Sequence, residues 1–388
     1  MSIPIKNIYY MLTYAFQELQ NNGYKSIEVE NFENIADMCS AILAKGISIQ
    51  LKRGLARDYL DTMESLSMLR GKIEIGESIR TLSMQKMQIV CSFDEFSPNT
   101  IMNRVLKSTL TLLLSADISP TRKQELKKLL LFFSDLDSID LNRVDWRFRS
   151  NKNNQSYRLL MGICNLVIDG LLQTQKDGSR RLMDFLDEQR MCRLYEKFVL
   201  EYYVKHYGHL NPASVLLEWP VENDFRELLP SMRTDITLTN GSKVLIIDAK
   251  YYERSMQVFY DKHTVHSANL YQIFTYVKSM DFEMRDKPHE VSGMLLYAKT
   301  DEEIQPDNEY WMSGNKIGVK TLDLSGDFDS IEKQLYAIAK DFFGDVVDTH
   351  FYLNARGCAG VGVRNGNLGF MLLAGSKISQ KEPSSTCP

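Results

Sequence analysis

Asp235 and the run Asp248-Ala249-Lys250 stand at the two ends of "DITLTNGSKVLIIDAK". A strand as apolar as Val244-Leu245-Ile246-Ile247 that finishes in two charges either emerges into solvent or delivers those charges to a site. Asn240-Gly241 between alternating runs is a strong hairpin signal. With those two residues as the turn, Thr239 pairs with Ser242 and Asp235 with Ile246. Alternation then puts Asp235 on one sheet face with its diagonal neighbour Asp248, and Lys250 follows on that face. Ile247 and Ala249 point the other way, into packing.

Two converging carboxylates repel each other unless a cation lies between them. Carboxylate oxygens suit Mg²⁺ or Mn²⁺, which take one or two of them together with phosphate oxygens. A lysine beside them can orient or deprotonate a water and steady charge that builds on phosphate. The pattern therefore fits phosphodiester hydrolysis. The alternative is a solvated hairpin end with an ordinary Asp–Lys ion pair. Glu196 on the preceding helix, and Gln272 and Tyr276 at i, i+4 on the following one, flank the hairpin in sequence. Taken singly, each also reads as a surface or edge residue.

The elements that must hold these residues follow from periodicity. "DEQRMCRLYEKFVLEYYVKHY" is a helix with Leu194, Phe198, Tyr202 and Lys205 along one face. "SVLLEWPV" reads as a strand, "SANLYQIFTYVKSM" as a helix that its serine can cap, "VSGMLLYAK" and "KIGVKTLDL" as strands, and "SIEKQLYAIAKDFF" as a closing helix. That order describes an α+β or α/β domain around a mixed sheet. Upstream, Ile8, Met11, Leu12, Ala15, Phe16 and Leu19 mark an amphipathic helix. "GISIQLKRGL" and "GKIEIGESI" read as short strands, and helices are expected over 103–114, 122–133 and 157–172. The polar "QTQKDGSRR" places a boundary near residue 180. From about residue 346 the chain is glycine-rich and aperiodic, and a disordered or non-native tail is expected.

The chain has 388 residues, 44% hydrophobic and 25% charged, with a net charge of −4. Its length favours two domains. The net charge excludes a global basic field, so any nucleic-acid surface must be local. "RVDWRFRSNKNNQSYR" (143–158) is one candidate, since arginines interleaved with aromatics can track a backbone and stack on bases; a solvated connection fits it equally well. Six scattered cysteines without a CxxC pair fit neither a zinc site nor a disulfide scaffold. With no signal-peptide order and no membrane-length apolar run, a cytoplasmic protein with no membrane partner is expected.

Glu196, Asp235, Asp248-Ala249-Lys250 and the Gln272-x-x-x-Tyr276 pair resemble the core of PD-(D/E)xK nucleases, with Thr234 where the family's usual proline stands. "IPIKNIYYMLTYAF", "LKRGLARDY", "RGKIEI", "FDEFSPNTIMNRVLKSTL" and "HSANLYQ" are similar to the McrC family, the nuclease subunits of McrBC modification-dependent restriction systems, over roughly 3–345. The resemblance implies an N-terminal mixed α/β domain (1–180) that docks on and stimulates a partner, a restriction-endonuclease-like domain (181–345), and a tail (346–388) outside the family. The partner implied is an McrB-like AAA+ GTPase hexamer that binds the GTP and recognises methylated cytosine in double-stranded DNA. The chain agrees with that division, since it contains no GxxxxGK[ST] phosphate loop.

Carried over residue by residue, Asp235, Asp248 and the Ala249 carbonyl bind Mg²⁺ and Lys250 positions the attacking water. Glu196 adds a direct or outer ligand, and Gln272 with Tyr276 supports the site or the DNA backbone. Arg53, Arg57, Arg70 and Lys72 are candidates for partner docking, against a solvated basic loop. His266 is left out as a cap or core residue. Two other functions compete: a non-catalytic adaptor of the GTPase, and a stand-alone nuclease that needs no motor.

Overall fold

The first helix, α1 (Ile5–Ala15), buries Ile8, Met11, Leu12 and Ala15 on one stripe. Its Asn7 reaches across the chain: Nδ2 donates to the Leu324 carbonyl at 2.8 Å and to that of Gly326 at 2.7 Å. The computed structural model describes residues 3–21, 23–28, 30–146, 148, 156–177, 188–221, 227–259 and 262–346. The expected boundary near 180, most of the second half of the basic–aromatic stretch, and all of the tail except Val346 lie outside them.

After a short turn of helix, α2 (Lys25–Glu28), comes α3 (Ile35–Arg53), begun by the Asn34 side chain accepting from the Asp37 amide. This corrects the strand expected at "GISIQLKRGL". The helix is buried around much of its girth, so Ile47, Ile49 and Leu51 mimic strand alternation although each belongs to a helical turn. At Gly46 the packing leaves no room for a side chain, because a Cβ would stand 2.5 Å from Leu160 Cδ2. The helices α5 (Ile101–Leu114), α6 (Pro120–Leu130) and α7 (Tyr157–Asp177) complete this layer. Thr100 and Ser119 cap the first two.

A three-stranded antiparallel sheet projects from it, with β1 (Asp58–Leu66) and β2 (Lys72–Ile73) on either side of β3 (Ile89–Ser97). The second expected strand, "GKIEIGESI", is strand only at Lys72–Ile73 and becomes α4 (Ile75–Arg80). There the Ser78 hydroxyl bonds the Glu74 carbonyl and receives the Val90 amide, which favours a turn over a continued ladder. The arm leaves large apolar groups in water, with Met87 89%, Met68 80% and Ile75 61% exposed.

The second half begins with α8 (Glu188–His206). Next are the short pair β4 (Leu216–Leu217) and β5 (Met232–Arg233), the hairpin β6 (Ile236–Asn240) and β7 (Lys243–Lys250), and a small hairpin, β8 (Met256–Phe259) with β9 (Lys262–Val265). The helix α9 (Ser267–Glu283), the strands β10 (Glu290–Ala298), β11 (Asn308–Met312) and β12 (Asn315–Leu322), and α10 (Phe328–Phe343) close the chain. The central sheet is mixed, in the order β11-β12-β10-β7-β6, with β10 parallel to both β7 and β12. Leu245, Ile247 and Ala249 pack on one face with α8, α10 and the N-terminal helices. Val244 and Ile246 pack on the other face with Ile273, Tyr276 and Val277 of α9.

Three details differ from expectation. "SVLLEWPV" is strand only at Leu216–Leu217, because beyond them the chain leaves the ladder and Trp219 Nε1 bonds the Pro230 carbonyl. The residue before α9 is His266 rather than the serine, and its ring bonds Gln257 and the Arg254 carbonyl instead of capping the helix. The hairpin turn is Gly241-Ser242, with Asn240 opposite Lys243. Gly241 takes φ +61, the first-position glycine of a type II′-like turn, so Asn240 stays in the strand. Thr237, not Asp235, therefore faces Ile246.

Gly293 sets how closely α9 approaches β10. A Cβ there would stand 2.7 Å from Val277 Cγ2 and 2.8 Å from Ile273 Cγ1. Gly293→Ala is expected to cost about 1–3 kcal/mol in urea unfolding, by forcing the helix off the sheet. An unchanged midpoint would mean that α9 packs elsewhere.

Candidate active site

The face of β7 that packs on α9 is apolar as far as Ile246 and then continues with Asp248 and Lys250. The corrected register moves the turn by one residue in each strand, which preserves the face. Extended by one residue past Ile236–Ile247, it puts Asp235 directly across from Asp248 rather than diagonal to it. Asp235 Oδ2 accepts the Ala249 amide at 3.0 Å. The atom of Ala249 brought to the aspartate is thus its N–H. Lys250 Nζ lies 2.8 Å from Asp248 Oδ2 as an ion pair.

Asp248 is fully buried, and neither of its carboxyl oxygens has a hydrogen-bond partner of acceptable geometry. Burial pushes its carboxyl up to about 7, Lys250 opposes the shift, and the neighbouring Asp235 adds to it. Asp235 is raised as well, by burial, against the pull of Lys250. Burial alone would lower Lys250, but Asp248 and Asp235 outweigh it and hold the ammonium above its ordinary range. Buried carboxylates with open oxygens beside a lysine cost free energy unless a cation or a proton occupies them. Among the described residues no cluster of three His, Cys, Asp or Glu gathers to hold a metal. Two carboxylates suffice for Mg²⁺, which keeps most of its waters.

The remaining expected residues surround this pair at different ranges. Glu196 of α8 is half-buried and accepts from Cys192 Sγ, one turn back, at 3.1 Å. Its carboxyl is raised by burial and then by the charge of Asp235, which brings it into the same electrostatic neighbourhood. Gln272 Nε2 donates to Tyr276 Oη at 2.8 Å, and the phenol, raised mainly by burial, senses Asp248, Asp235 and Lys250. Of the expected docking residues, Arg70 stacks 3.9 Å over the Phe93 ring and Lys72 pairs with Glu74 at 2.7 Å.

Other participants gave no sequence signal. Tyr297 is opposite Lys250 on β10 and fully buried. Its hydroxyl accepts from Asn269 Nδ2 at 2.9 Å, and Asn269 Oδ1 accepts from Tyr252 at 3.2 Å. These tyrosines read as ordinary core residues, and only the parallel pairing of β10 with β7 brings Tyr297 to the site.

The family described as "McrBC 5-methylcytosine restriction system component" matches residues 5–298. A curated relative, the type IV methyl-directed restriction enzyme EcoKMcrBC of Escherichia coli strain K12, is 30% identical over 346 residues, covering 88% of this chain and 98% of the relative. Among solved structures, the chain is similar to a half-complex from a tetradecameric assembly of Thermococcus gammatolerans McrB AAA+ hexamers with bound McrC. That match has 18% identity and a TM-score of 0.47, covering 86% of this chain and 76% of that one. The Thermococcus gammatolerans McrBC complex matches at 17% identity and a TM-score of 0.38, covering 65% of this chain and 63% of that one.

Because the folded chain holds the Asp248 proton more tightly than the unfolded chain does, this group favours folding at low pH. That contribution is lost as pH rises from about 4 to about 7. In chelator, Asp248→Asn is expected to flatten the dependence of stability on pH over that window. Denaturant midpoints measured at pH 5 and pH 8 test this, and a variant whose midpoint changes between them as steeply as that of wild type contradicts the burial argument.

Proposed function

The chain belongs to the McrBC 5-methylcytosine restriction system component family, and on that premise we propose that it is the DNA-cutting subunit of such a system. It would fold its second half as a PD-(D/E)xK nuclease and hydrolyse phosphodiesters with Mg²⁺. One observation carries the reading: a fully buried Asp248, across from Asp235, whose Oδ2 is ion-paired with Lys250 at 2.8 Å and whose Oδ1 has no hydrogen-bond partner. A merely solvated hairpin end would not be buried.

Asp235, Asp248 and the Ala249 carbonyl would hold Mg²⁺ or Mn²⁺, which when bound supplies a Lewis acid for the phosphate oxygens. The Ala249 amide fixes one oxygen of Asp235 and so limits how that carboxylate can turn. Lys250, held protonated by two acids, has no lone pair with which to take a proton. Its role is to orient the attacking water and to offset negative charge growing on the phosphate. Glu196 would add negative charge from the α8 side, and the Gln272–Tyr276 pair would wall the α9 side. The apolar arm built from β1 to β3 is the surface offered to an McrB-like AAA+ GTPase hexamer, which binds the GTP and selects DNA with methylated cytosine. Exposed side chains such as Met68 and Met87 support that role.

Asp248→Ala and Lys250→Ala should each lower Mg²⁺- and GTP-dependent cleavage of methylated DNA by at least about a thousandfold. Stimulation of the partner's GTP turnover should stay intact. Wild-type cutting by either variant would remove the proposal. GTPase stimulation by the wild-type chain without any nicking would favour an adaptor, and cutting without partner or GTP a stand-alone nuclease. Replacing Met68 and Met87 together by glutamate should abolish GTPase stimulation while the unfolding midpoint is unchanged; full stimulation would move the docking surface elsewhere.

A further inference from the structure

The segment that delivers Asp235 is irregular in a particular way. The antiparallel ladder between the 213–217 and 232–237 segments pairs Leu217 with Met232 and Leu216 with Arg233, and the Thr234 amide donates to the Val215 carbonyl at 2.9 Å. The next bridge is Ala213 with Thr237, bonded both ways at 3.0 and 2.7 Å. Asp235 and Ile236 on one segment therefore face Ser214 alone on the other, which is a β-bulge. Bulges re-aim side chains, and this one carries the acid.

Thr234 makes the bulge. In a regular pair the Val215 amide would donate to the Thr234 carbonyl. Here it donates to the Thr234 hydroxyl at 2.9 Å, and the displaced carbonyl instead accepts the Ser214 hydroxyl at 2.6 Å. The same Thr234 hydroxyl bonds that of Thr237 at 2.9 Å, beyond the bulge. Thr234 is 1% exposed, so none of these bonds is replaced by water when lost. Proline could supply neither the amide nor the hydroxyl.

We propose that Thr234 is a positioning residue for the metal carboxylate: its hydroxyl stands in for its own carbonyl in the ladder and thereby turns Asp235 toward Asp248. This rests on the nuclease reading above. Thr234→Val keeps the shape and removes the acceptor, leaving the Val215 amide unmatched. Thr234→Ser keeps the hydroxyl, and Ser214→Ala releases only the carbonyl.

The test is calorimetric titration of Mg²⁺ into the full chain, with Mg²⁺-dependent cleavage in the complex as a second readout. Thr234→Val should weaken Mg²⁺ binding about tenfold and raise the half-saturating Mg²⁺ alike, with the KM for DNA and the rate at saturating Mg²⁺ within about twofold of wild type. Thr234→Ser should restore binding to within about threefold, and Ser214→Ala should shift it in the same direction by about threefold. A folded Thr234→Val with wild-type Mg²⁺ binding overturns the proposal. If Thr234→Val does not fold, wild-type Mg²⁺ binding by Ser214→Ala overturns it. Asp235→Asn separates the two levels: if it binds Mg²⁺ and cuts normally, the nuclease reading falls, whereas if it loses both and the Thr234 and Ser214 variants do not shift, only the positioning role falls.

Discussion

A carboxylate without exposure at the end of a buried strand is the constraint around which this molecule is arranged. Asp248 follows Ile246 on the face that α9 covers, so the packing that makes the strand stable also takes the acid out of water. Lys250 answers part of that cost with the opposite charge from the same strand, whereas Asp235, anchored by the Ala249 amide, brings a second acid from the adjoining strand that adds to it. An arrangement optimised for stability alone would place an apolar side chain at this position.

How far the sequence could be read depended on whether a signal was local. The apolar run into Asp-Ala-Lys and the Asn-Gly turn signal were enough to put two acids and a lysine on one face, even though the turn lay one residue further on. The face survived because moving a two-residue turn by one position shifts both strands together and keeps their parity. Asn240 stayed in the strand because Gly241 alone takes the positive φ. The long helix α3 was misread for the opposite reason. Burial on several sides erased the one-sided pattern that distinguishes a helix, leaving a false alternation at Ile47, Ile49 and Leu51.

Tyr297, Asn269 and Thr234 lay beyond local reading. Tyr297 becomes a neighbour of Lys250 only through a parallel pairing that crosses α9, and Thr234 acquires its role from a segment some twenty residues earlier. The arm could be recognised by its basic residues but not by its exposed methionines, because apolar residues in short strands look like core until their surroundings are known. Its arginines and lysines have largely local partners, as Arg70 over Phe93 shows. The apolar groups, not the charges, distinguish this surface.

The bonds from Asn7 to the carbonyls of Leu324 and Gly326 have a consequence for biosynthesis. α1 can pack on α3 and α8 as soon as these are translated, but its Asn7 amide meets its acceptors only when residues 324–326 have been added. A nascent fragment that stops earlier leaves that amide without acceptors, and α1 without α10 to lie beside. A chain cut short before α10 is thus destabilised at α1 as well as at its truncated end.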